Sequence, residues 1–151
     1  MTDPIYVAVV GTGEATPAVE VEAEAVGRLL AERGVVVVCG GLGGVMAAAC
    51  RGAKAAGGVT VGILPGADRR GANRWVDVSV ATGMGEARNA VVVRTADAVL
   101  AVAGGYGTLS EIALALRMGR PVVTLGSWDI EGVQEGEDPH DAVEKVLDAL
   151  A

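Results

Sequence analysis

AVLAVAGGYGTLSE, residues 98–111, is the stretch that best predicts the fold. Residues 98–102 are apolar at every position, which is typical of a parallel strand covered on both faces. Three glycines within 104–107 allow the chain to turn sharply and a ligand to approach the backbone. Thr108 is predicted to open a helix over 109–118. Free amides at such a helix start favour the binding of a phosphate or carboxylate.

The same order of strand, glycine turn and helix occurs twice earlier in the chain. Strands are predicted at residues 5–10 and 35–38, and their glycine turns lead into helices at 17–33, with Thr16 as N-cap, and at 45–56. Further strands are predicted at 59–64, 75–80 and 122–125, and further helices at 85–95 and 141–150. The valine alternation in 75–80 predicts an edge or half-exposed strand, and 126–139 is predicted to be an acidic loop.

This alternation predicts an α/β fold, a single Rossmann-like three-layer domain over residues 1–151. Its sheet is expected to be mainly parallel, with helices on both faces. Right-handed crossovers bring every strand-to-helix turn to one edge of such a sheet. The three glycine turns should therefore meet there, where ligands bind if the strand order reverses.

The composition limits the classes of function. Apolar residues make up 51% of the chain and aromatic residues 3%, so the core must consist of Val, Leu, Ala and Ile. A net charge of −7 argues against a general nucleic-acid binder, which needs a basic face. The longest uncharged run, 34–50, is broken by glycines and is not a membrane span.

The N-terminal residues and the cysteines predict a cytoplasmic location. Residues 1–4 contain no basic region before an apolar stretch, so no signal peptide is expected. Cys39 and Cys50 do not form a Cys-x-x-Cys pair and are interpreted as two buried thiols in a reducing compartment.

Two nucleotide-binding motifs can be set aside. The first glycine turn, which contains Gly11 and Gly13, lacks the third glycine of a dinucleotide fingerprint. The second strand ends at Cys39, where an NAD site needs an acidic residue for the ribose. A P-loop requires a lysine after its glycines, but Lys54 and Lys145 are the only lysines and neither follows one.

Cofactor and triad chemistry are also disfavoured. Neither lysine is near a predicted turn, as the Schiff base of a pyridoxal phosphate enzyme would require. His140 is the only histidine, which leaves too few ligands for a metal and makes a Ser-His-Asp triad improbable. We therefore expect no resident cofactor or metal and no pyridoxal-dependent decarboxylase.

Two charged residues are candidates for chemistry, and each has an ordinary alternative. Glu111 fits a capping box with Thr108, but it would also lie one turn beyond a bound phosphate. There it could stabilise an oxocarbenium-like ribose or activate water. Arg88 is either a surface helix arginine paired with Glu86 or another neighbour, or a residue that orients Glu111 or binds phosphate. The arginines in loop 65–74 are expected to be solvated, with a gate over the ligand as the alternative.

The segment GGYGTLSE, residues 104–111, resembles the Pro-Gly-Gly-x-Gly-Thr-x-x-Glu motif of the "Lonely guy" (LOG) family. The segment GGLGGVM, residues 40–46, is similar to the other glycine motif of that family. Known LOG proteins are phosphoribohydrolases that release a cytokinin base from its nucleoside 5′-monophosphate. Ala103 replaces the proline of the motif. The Arg88-Asn89 pair is more similar to a neighbouring branch that includes molybdenum cofactor carrier-like proteins. For that branch, binding of a phosphorylated pterin or nucleotide without chemistry is an alternative to hydrolysis.

The resemblance implies two functions for one site. The first is hydrolysis of the N-glycosidic bond of a nucleoside 5′-monophosphate, and the second is non-catalytic binding of a nucleotide or molybdenum cofactor. Both imply a small phosphorylated ligand and a homodimer or higher homo-oligomer. The charge and the broken apolar run already predict no nucleic-acid and no membrane partner. The catalytic candidates are Arg88 and Glu111. The candidate ligand- and phosphate-binding residues are Gly11, Gly13, Gly40, Gly41, Gly43, Gly104, Gly105, Tyr106, Gly107 and Thr108.

Overall fold

The computed structural model describes residues 3–151, which form seven strands and five helices. The strands are β1 (Tyr6–Gly11), β2 (Val36–Cys39), β3 (Thr60–Leu64), β4 (Val78–Ala81), β5 (Ala98–Val102), β6 (Val122–Leu125) and β7 (Gln134–Glu135). The helices are α1 (Pro17–Glu32), α2 (Val45–Ala55), α3 (Arg88–Thr95), α4 (Tyr106–Arg117) and α5 (Pro139–Leu150). The absence of a signal peptide was inferred partly from residues 1 and 2, which lie outside the described residues.

The strands form one parallel sheet in the order β4-β3-β2-β1-β5-β6-β7. The chain builds outward from β1 to β4 and then returns to place β5 on the other side of β1. The strand order therefore reverses between β1 and β5. Gly11 is paired with Val102, so the two strands end together and their glycine turns face each other. The predicted α/β fold is confirmed.

Helices cover both faces of the sheet, which explains why β5 is apolar throughout. Ala98, Leu100 and Val102 contact the core beneath α1, α2 and α5. Val99 and Ala101 contact the opposite core beneath α3 and α4. Both cores consist of Val, Ala, Leu and Ile, as the composition predicts, and Tyr6 and Trp128 pack at the margin of the core beneath α3 and α4.

Helices α1 and α2 pack with their backbones in direct contact. A Cβ atom added at Gly27 would lie 1.9 Å from the carbonyl oxygen of Ala49, and one at Gly52 would lie 1.9 Å from that of Glu24. Only a residue without a side chain fits at either crossing point. The small residues of α2 therefore serve its contact with α1 as well as its position over the sheet.

Several boundaries differ from the predictions. Helix α4 begins at Tyr106 with Gly105 as N-cap, so Thr108 does not open the helix. The strand predicted at 75–80 is the edge strand Val78–Ala81, and the helix predicted at 85–95 begins as a 3-10 turn, Gly85–Ala87.

The C-terminal loop is more ordered than its composition suggests. The predicted loop 126–139 contains strand β7, and α5 begins at Pro139, earlier than predicted. The Asp138 carboxylate accepts from the amide of Asp141 at 2.8 Å and caps this helix. Thr16 caps α1 in the same way, as predicted, with its hydroxyl accepting from Val19 at 3.3 Å. Across residues 3–151, no helix has the length and apolar character needed to cross a membrane.

Candidate functional site

A cleft of about 480 Å³ opens where the strand order reverses between β1 and β5. Its walls come from the three glycine turns, from the start of α3 and from the first turn and a half of α4. Parallel sheets place ligands at this position because two neighbouring turns separate there. The predicted site residues that line the cleft are Gly11, Gly13, Gly40, Arg88, Gly105, Gly107, Thr108 and Glu111.

Four predicted residues lie outside the walls of the cleft: Gly41, Gly43, Gly104 and Tyr106. Gly41 and Gly104 have positive φ angles of 80° and 109° and shape their turns. A Cβ atom at Gly104 would lie 2.2 Å from the Thr108 hydroxyl oxygen, so this turn requires glycine. The Tyr106 side chain is 84% exposed and does not line the cleft, while its backbone amide belongs to the helix start.

The start of α4 has free hydrogen-bond donors. Within residues 3–151, the backbone amides of Gly105, Tyr106, Gly107 and Thr108 donate to no protein acceptor, and no side chain caps the helix. Unpaired amides at a helix start carry partial positive charge and bind anions. The start of α4 therefore presents a set of free donors beside the cleft.

Glu111 projects into the cleft from the second turn of α4. It is 7% exposed, and burial raises its pKa from 4.5 to about 7, while the charge of Arg88 opposes this rise. No hydrogen bond to its carboxyl oxygens is present among the described residues. Because Gly105 rather than Thr108 is the N-cap, the predicted capping box between Thr108 and Glu111 is wrong. Glu111 is thus a buried acid that is able to hold a proton near neutral pH.

Arg88 is the first residue of α3 and is 9% exposed. Its Nη1 donates to the Asn89 side-chain oxygen and its Nη2 to the Gly40 carbonyl oxygen at 3.4 Å. Its buried Nε has no partner in the described part of the chain. The alternative of a surface arginine paired with Glu86 is therefore wrong. No ion pair within 4.0 Å joins it to Glu111 among these residues, so the two groups interact through space across the cleft.

The second glycine turn approaches Arg88 closely. A Cβ atom at Gly40 would lie 2.6 Å from Arg88 Nη2, so glycine leaves the space that the guanidinium occupies. Asn73 supports this turn from the loop after β3, donating through Nδ2 to the Leu42 carbonyl oxygen at 2.8 Å. The turn thus holds Arg88 at the edge of the cleft.

Asn89 was not selected from the sequence as a site residue. Its side chain lines the cleft, accepts from Arg88 and donates to the Ser110 hydroxyl at 3.4 Å. It links the starts of α3 and α4. The signal available in the sequence was a short amide side chain directly after the candidate arginine.

The remaining chemical groups lie away from the cleft. Arg69, Arg70 and Arg74 are exposed and do not line it, in agreement with a solvated loop rather than a gate. Cys39 and Cys50 are buried free thiols, as expected, but their sulfur atoms lie 3.5 Å apart, a proximity that their sequence spacing did not predict. Among residues 3–151, no group of three or more His, Cys, Asp or Glu side chains could hold a metal ion.

Comparison with protein families identifies relatives along the whole chain. The model of the SLOG cluster4 family matches residues 4–149. An uncharacterized protein of Archaeoglobus fulgidus is 46% identical over 140 residues, which is 92% of each chain. A probable cytokinin riboside 5′-monophosphate phosphoribohydrolase of Oryza sativa subsp. japonica is 35% identical over 96 residues, 62% of this chain and 39% of the rice protein.

Solved structures extend the comparison. The molybdenum cofactor binding protein of Rippkaea orientalis has a TM-score of 0.94 and 35% identity, with 100% of both chains covered. The molybdenum cofactor carrier protein of Chlamydomonas reinhardtii has a TM-score of 0.88 and 32% identity, with 98% of this chain and 99% of that chain covered. The resemblance to the LOG superfamily and to its carrier-like branch is confirmed.

Proposed function

This chain belongs to the SLOG cluster4 family, and from that premise we propose that its cleft binds a small phosphate ester of nucleoside monophosphate or pterin type. One observation carries the proposal: unpaired amides, a buried guanidinium and a buried carboxyl surround a single cleft. Each group alone has a structural explanation. Their convergence at the point where the strand order reverses supports a ligand site.

The phosphate is assigned to the start of α4. Its oxygens would accept from the amides of Gly105, Tyr106, Gly107 and Thr108, aided by the partial positive charge of the helix end. Arg88 supplies a full positive charge and an unpaired Nε on the same cleft. A protein with a net charge of −7 needs such local attraction to hold an anion.

Hydrolysis of an N-glycosidic bond is the first activity proposed for this site, and the likeness to the rice phosphoribohydrolase supports it. Water would replace the base at C1 of the ribose, giving free base and ribose 5-phosphate. Glu111 lies one helical turn beyond Thr108, on the side where the sugar would follow the phosphate. As a carboxylate it stabilises positive charge on the ribose, and as an acid it protonates the leaving base.

Binding without turnover is the second candidate, and the solved structures favour it. The structures that resemble this chain over nearly its full length are those of molybdenum cofactor binding and carrier proteins. In addition, Arg88 is held by Asn89 and Gly40 and forms no direct ion pair with Glu111 in the described residues. An acid without such a partner fits a pocket that encloses a ligand as well as one that cleaves it.

Calorimetric titration with adenosine 5′-monophosphate and with inorganic phosphate tests the binding site. We expect Arg88→Ala to weaken both affinities by about tenfold to a hundredfold, because a charged hydrogen bond contributes about 1.5 to 3 kcal/mol. Arg94→Ala is the matched control, since Arg94 is exposed in the last turn of the same helix. Equal binding by wild type and Arg88→Ala, or no binding of either anion, would refute the proposed site.

Release of free base and ribose 5-phosphate separates the two candidates. Under hydrolysis, wild type cleaves members of a panel of nucleoside 5′-monophosphates and Glu111→Gln loses most of the rate. Under the carrier function, wild type retains a phosphorylated ligand in native mass spectrometry and cleaves none of the panel. Cleavage that is equal in wild type and Glu111→Gln would exclude Glu111 as the catalytic acid.

The family resemblance also leads us to assign a cytoplasmic homo-oligomer. The exposed valines of edge strand β4, Val78 at 50% and Val80 at 40%, offer an apolar surface for a second copy. Light scattering of the purified chain gives the mass directly. A monomer at all protein concentrations up to about 1 mM would refute the oligomer.

A further inference from the structure

The loop between β6 and β7 crosses over the glycine turn that precedes α4. Its Ser127 hydroxyl donates to the Ala103 carbonyl oxygen at 2.5 Å. The indole Nε1 of the next residue, Trp128, donates to the Gly105 carbonyl oxygen at 2.9 Å. Two successive side chains of one loop thus bind two alternate carbonyl groups of another.

These carbonyl bonds determine the direction of the amides that follow. In a planar trans peptide the carbonyl and the next N–H point in opposite directions. Holding the Ala103 oxygen therefore directs the Gly104 N–H away from the loop after β6. Holding the Gly105 oxygen, which also accepts from Leu109 at 3.0 Å, directs the Tyr106 N–H out of the helix start.

The turn needs such support because its backbone is strained. Ala103 has a φ angle of 49°, the only positive value at a non-glycine residue in the described part of the chain, and Gly104 has one of 109°. A left-handed alanine costs about 1 to 2 kcal/mol. No side chain caps α4 from within its own segment. The bonds from Ser127 and Trp128 go to carbonyl oxygens, so they hold the turn and leave the amides at the helix start free.

Ring packing holds Trp128 in position. The Tyr106 and Trp128 rings stack with their centres 6.0 Å apart and their planes at 28°. Trp128 also packs on the apolar core beneath α3 and α4. A ring held by both contacts has restricted motion, so little side-chain freedom is lost when the bond from Nε1 to Gly105 forms.

We propose that Ser127 and Trp128 are positioning residues of the phosphate site, which hold the turn 103–105 so that the amides at the start of α4 face the anion. The proposal rests on the phosphate binding proposed above. The loop after β6 thus has a role in the ligand site, although none of its residues lines the cleft. Neither residue touches the ligand.

Phosphate titration followed by ¹H–¹⁵N spectra tests this role at the amides themselves. The variants are Trp128→Phe, which keeps an aromatic ring and removes the N–H donor, and Ser127→Ala. We expect each to weaken the affinity for inorganic phosphate about threefold to tenfold, the loss of one neutral hydrogen bond. Trp75→Phe is the matched control, because Trp75 lies near Arg51 and Arg74 on another surface.

The titration of the Glu111 carboxyl, followed by ¹³C spectra in the same samples, separates positioning from general loosening. A positioning role changes the phosphate affinity and leaves the Glu111 titration as in wild type. Unchanged phosphate affinity in both variants overturns the role of Ser127 and Trp128 and leaves the phosphate site intact. If the variants change the Glu111 titration together with the phosphate affinity, the two residues support the fold in general, and the positioning role is overturned. Absence of phosphate binding by wild type overturns the proposed function and this inference together.

Discussion

Replacement of Glu111 by Gln should stabilise the folded protein, and the gain should depend on pH. The carboxyl is 7% exposed, has no hydrogen-bond partner among the described residues, and its pKa rises from 4.5 to about 7 because burial penalises the charged form. The folded protein therefore binds this proton more readily than the unfolded chain does. Stability that is complete below pH 4.5 is lost progressively as the pH rises to about 7.

The magnitude follows from the two pKa values. A tenfold change in an acid constant corresponds to about 1.4 kcal/mol. Relative to low pH, where the carboxyl is protonated in both states, Glu111 thus lowers the unfolding free energy by about 3 kcal/mol at pH 8 and by about 1 kcal/mol at pH 5. Gln has nearly the same volume and no charge to bury. Glu111→Gln should therefore exceed wild type in unfolding free energy by about 2 kcal/mol more at pH 8 than at pH 5.

Urea unfolding at pH 5, 6, 7 and 8, followed by circular dichroism, gives these free energies. Glu131→Gln is the control, because Glu131 is exposed in the loop after β6 and its replacement removes the same formal charge. A constant difference between Glu111→Gln and wild type at all four pH values would show that burial does not raise this pKa. The same would follow if Glu131→Gln reproduced the pH dependence.

Two further predictions concern the backbone. Ala103→Gly should stabilise the protein by about 0.5 to 1 kcal/mol, because glycine removes the strain at a φ of 49°. Part of that gain is lost because glycine gives the unfolded chain more conformational entropy. Ala113→Gly, on the exposed side of α4, is the control and should destabilise the protein by a similar amount in the same urea assay. A loss of stability in Ala103→Gly would contradict the strain. Gly27→Ala should destabilise by at least about 2 kcal/mol, since its methyl would meet the Ala49 carbonyl oxygen at 1.9 Å. An unchanged urea midpoint for Gly27→Ala would mean that α1 and α2 are not in backbone contact.

Local patterns in the sequence account for most of the fold. The apolar run 98–102 predicted β5 because a strand covered on both faces has no polar position, and the structure gives Ala98–Val102. Thr16 and Pro17 predicted the start of α1 through capping chemistry that acts within four residues. Boundaries within glycine turns were less predictable, because glycine is compatible with both the turn and the first turn of a helix. Thr108 was therefore taken for the N-cap that Gly105 provides.

The candidate site was only partly predictable. The glycine turns and the family motif identified Arg88 and Glu111, but not how either is held. Asn89, which bonds to Arg88 and to Ser110, and the loop of Trp128, which bonds to Gly105, came from contacts between segments far apart in sequence. Periodicity and motif spacing describe neighbours along the chain, so they do not predict contacts between such distant segments.

By itself the sequence determined the alternation of strands and helices, the parallel sheet and the edge at which its glycine turns meet, because these follow from local propensity and from the handedness of crossovers. Only the tertiary structure decided that Glu111 is buried rather than part of a cap, that Arg88 lies against Gly40, and that Cys39 and Cys50 are in contact. Burial and proximity depend on how the helices pack across the sheet. A pKa near 7 at Glu111 is set by the loss of surrounding water, and that loss exists only once the two sides of the cleft have come together.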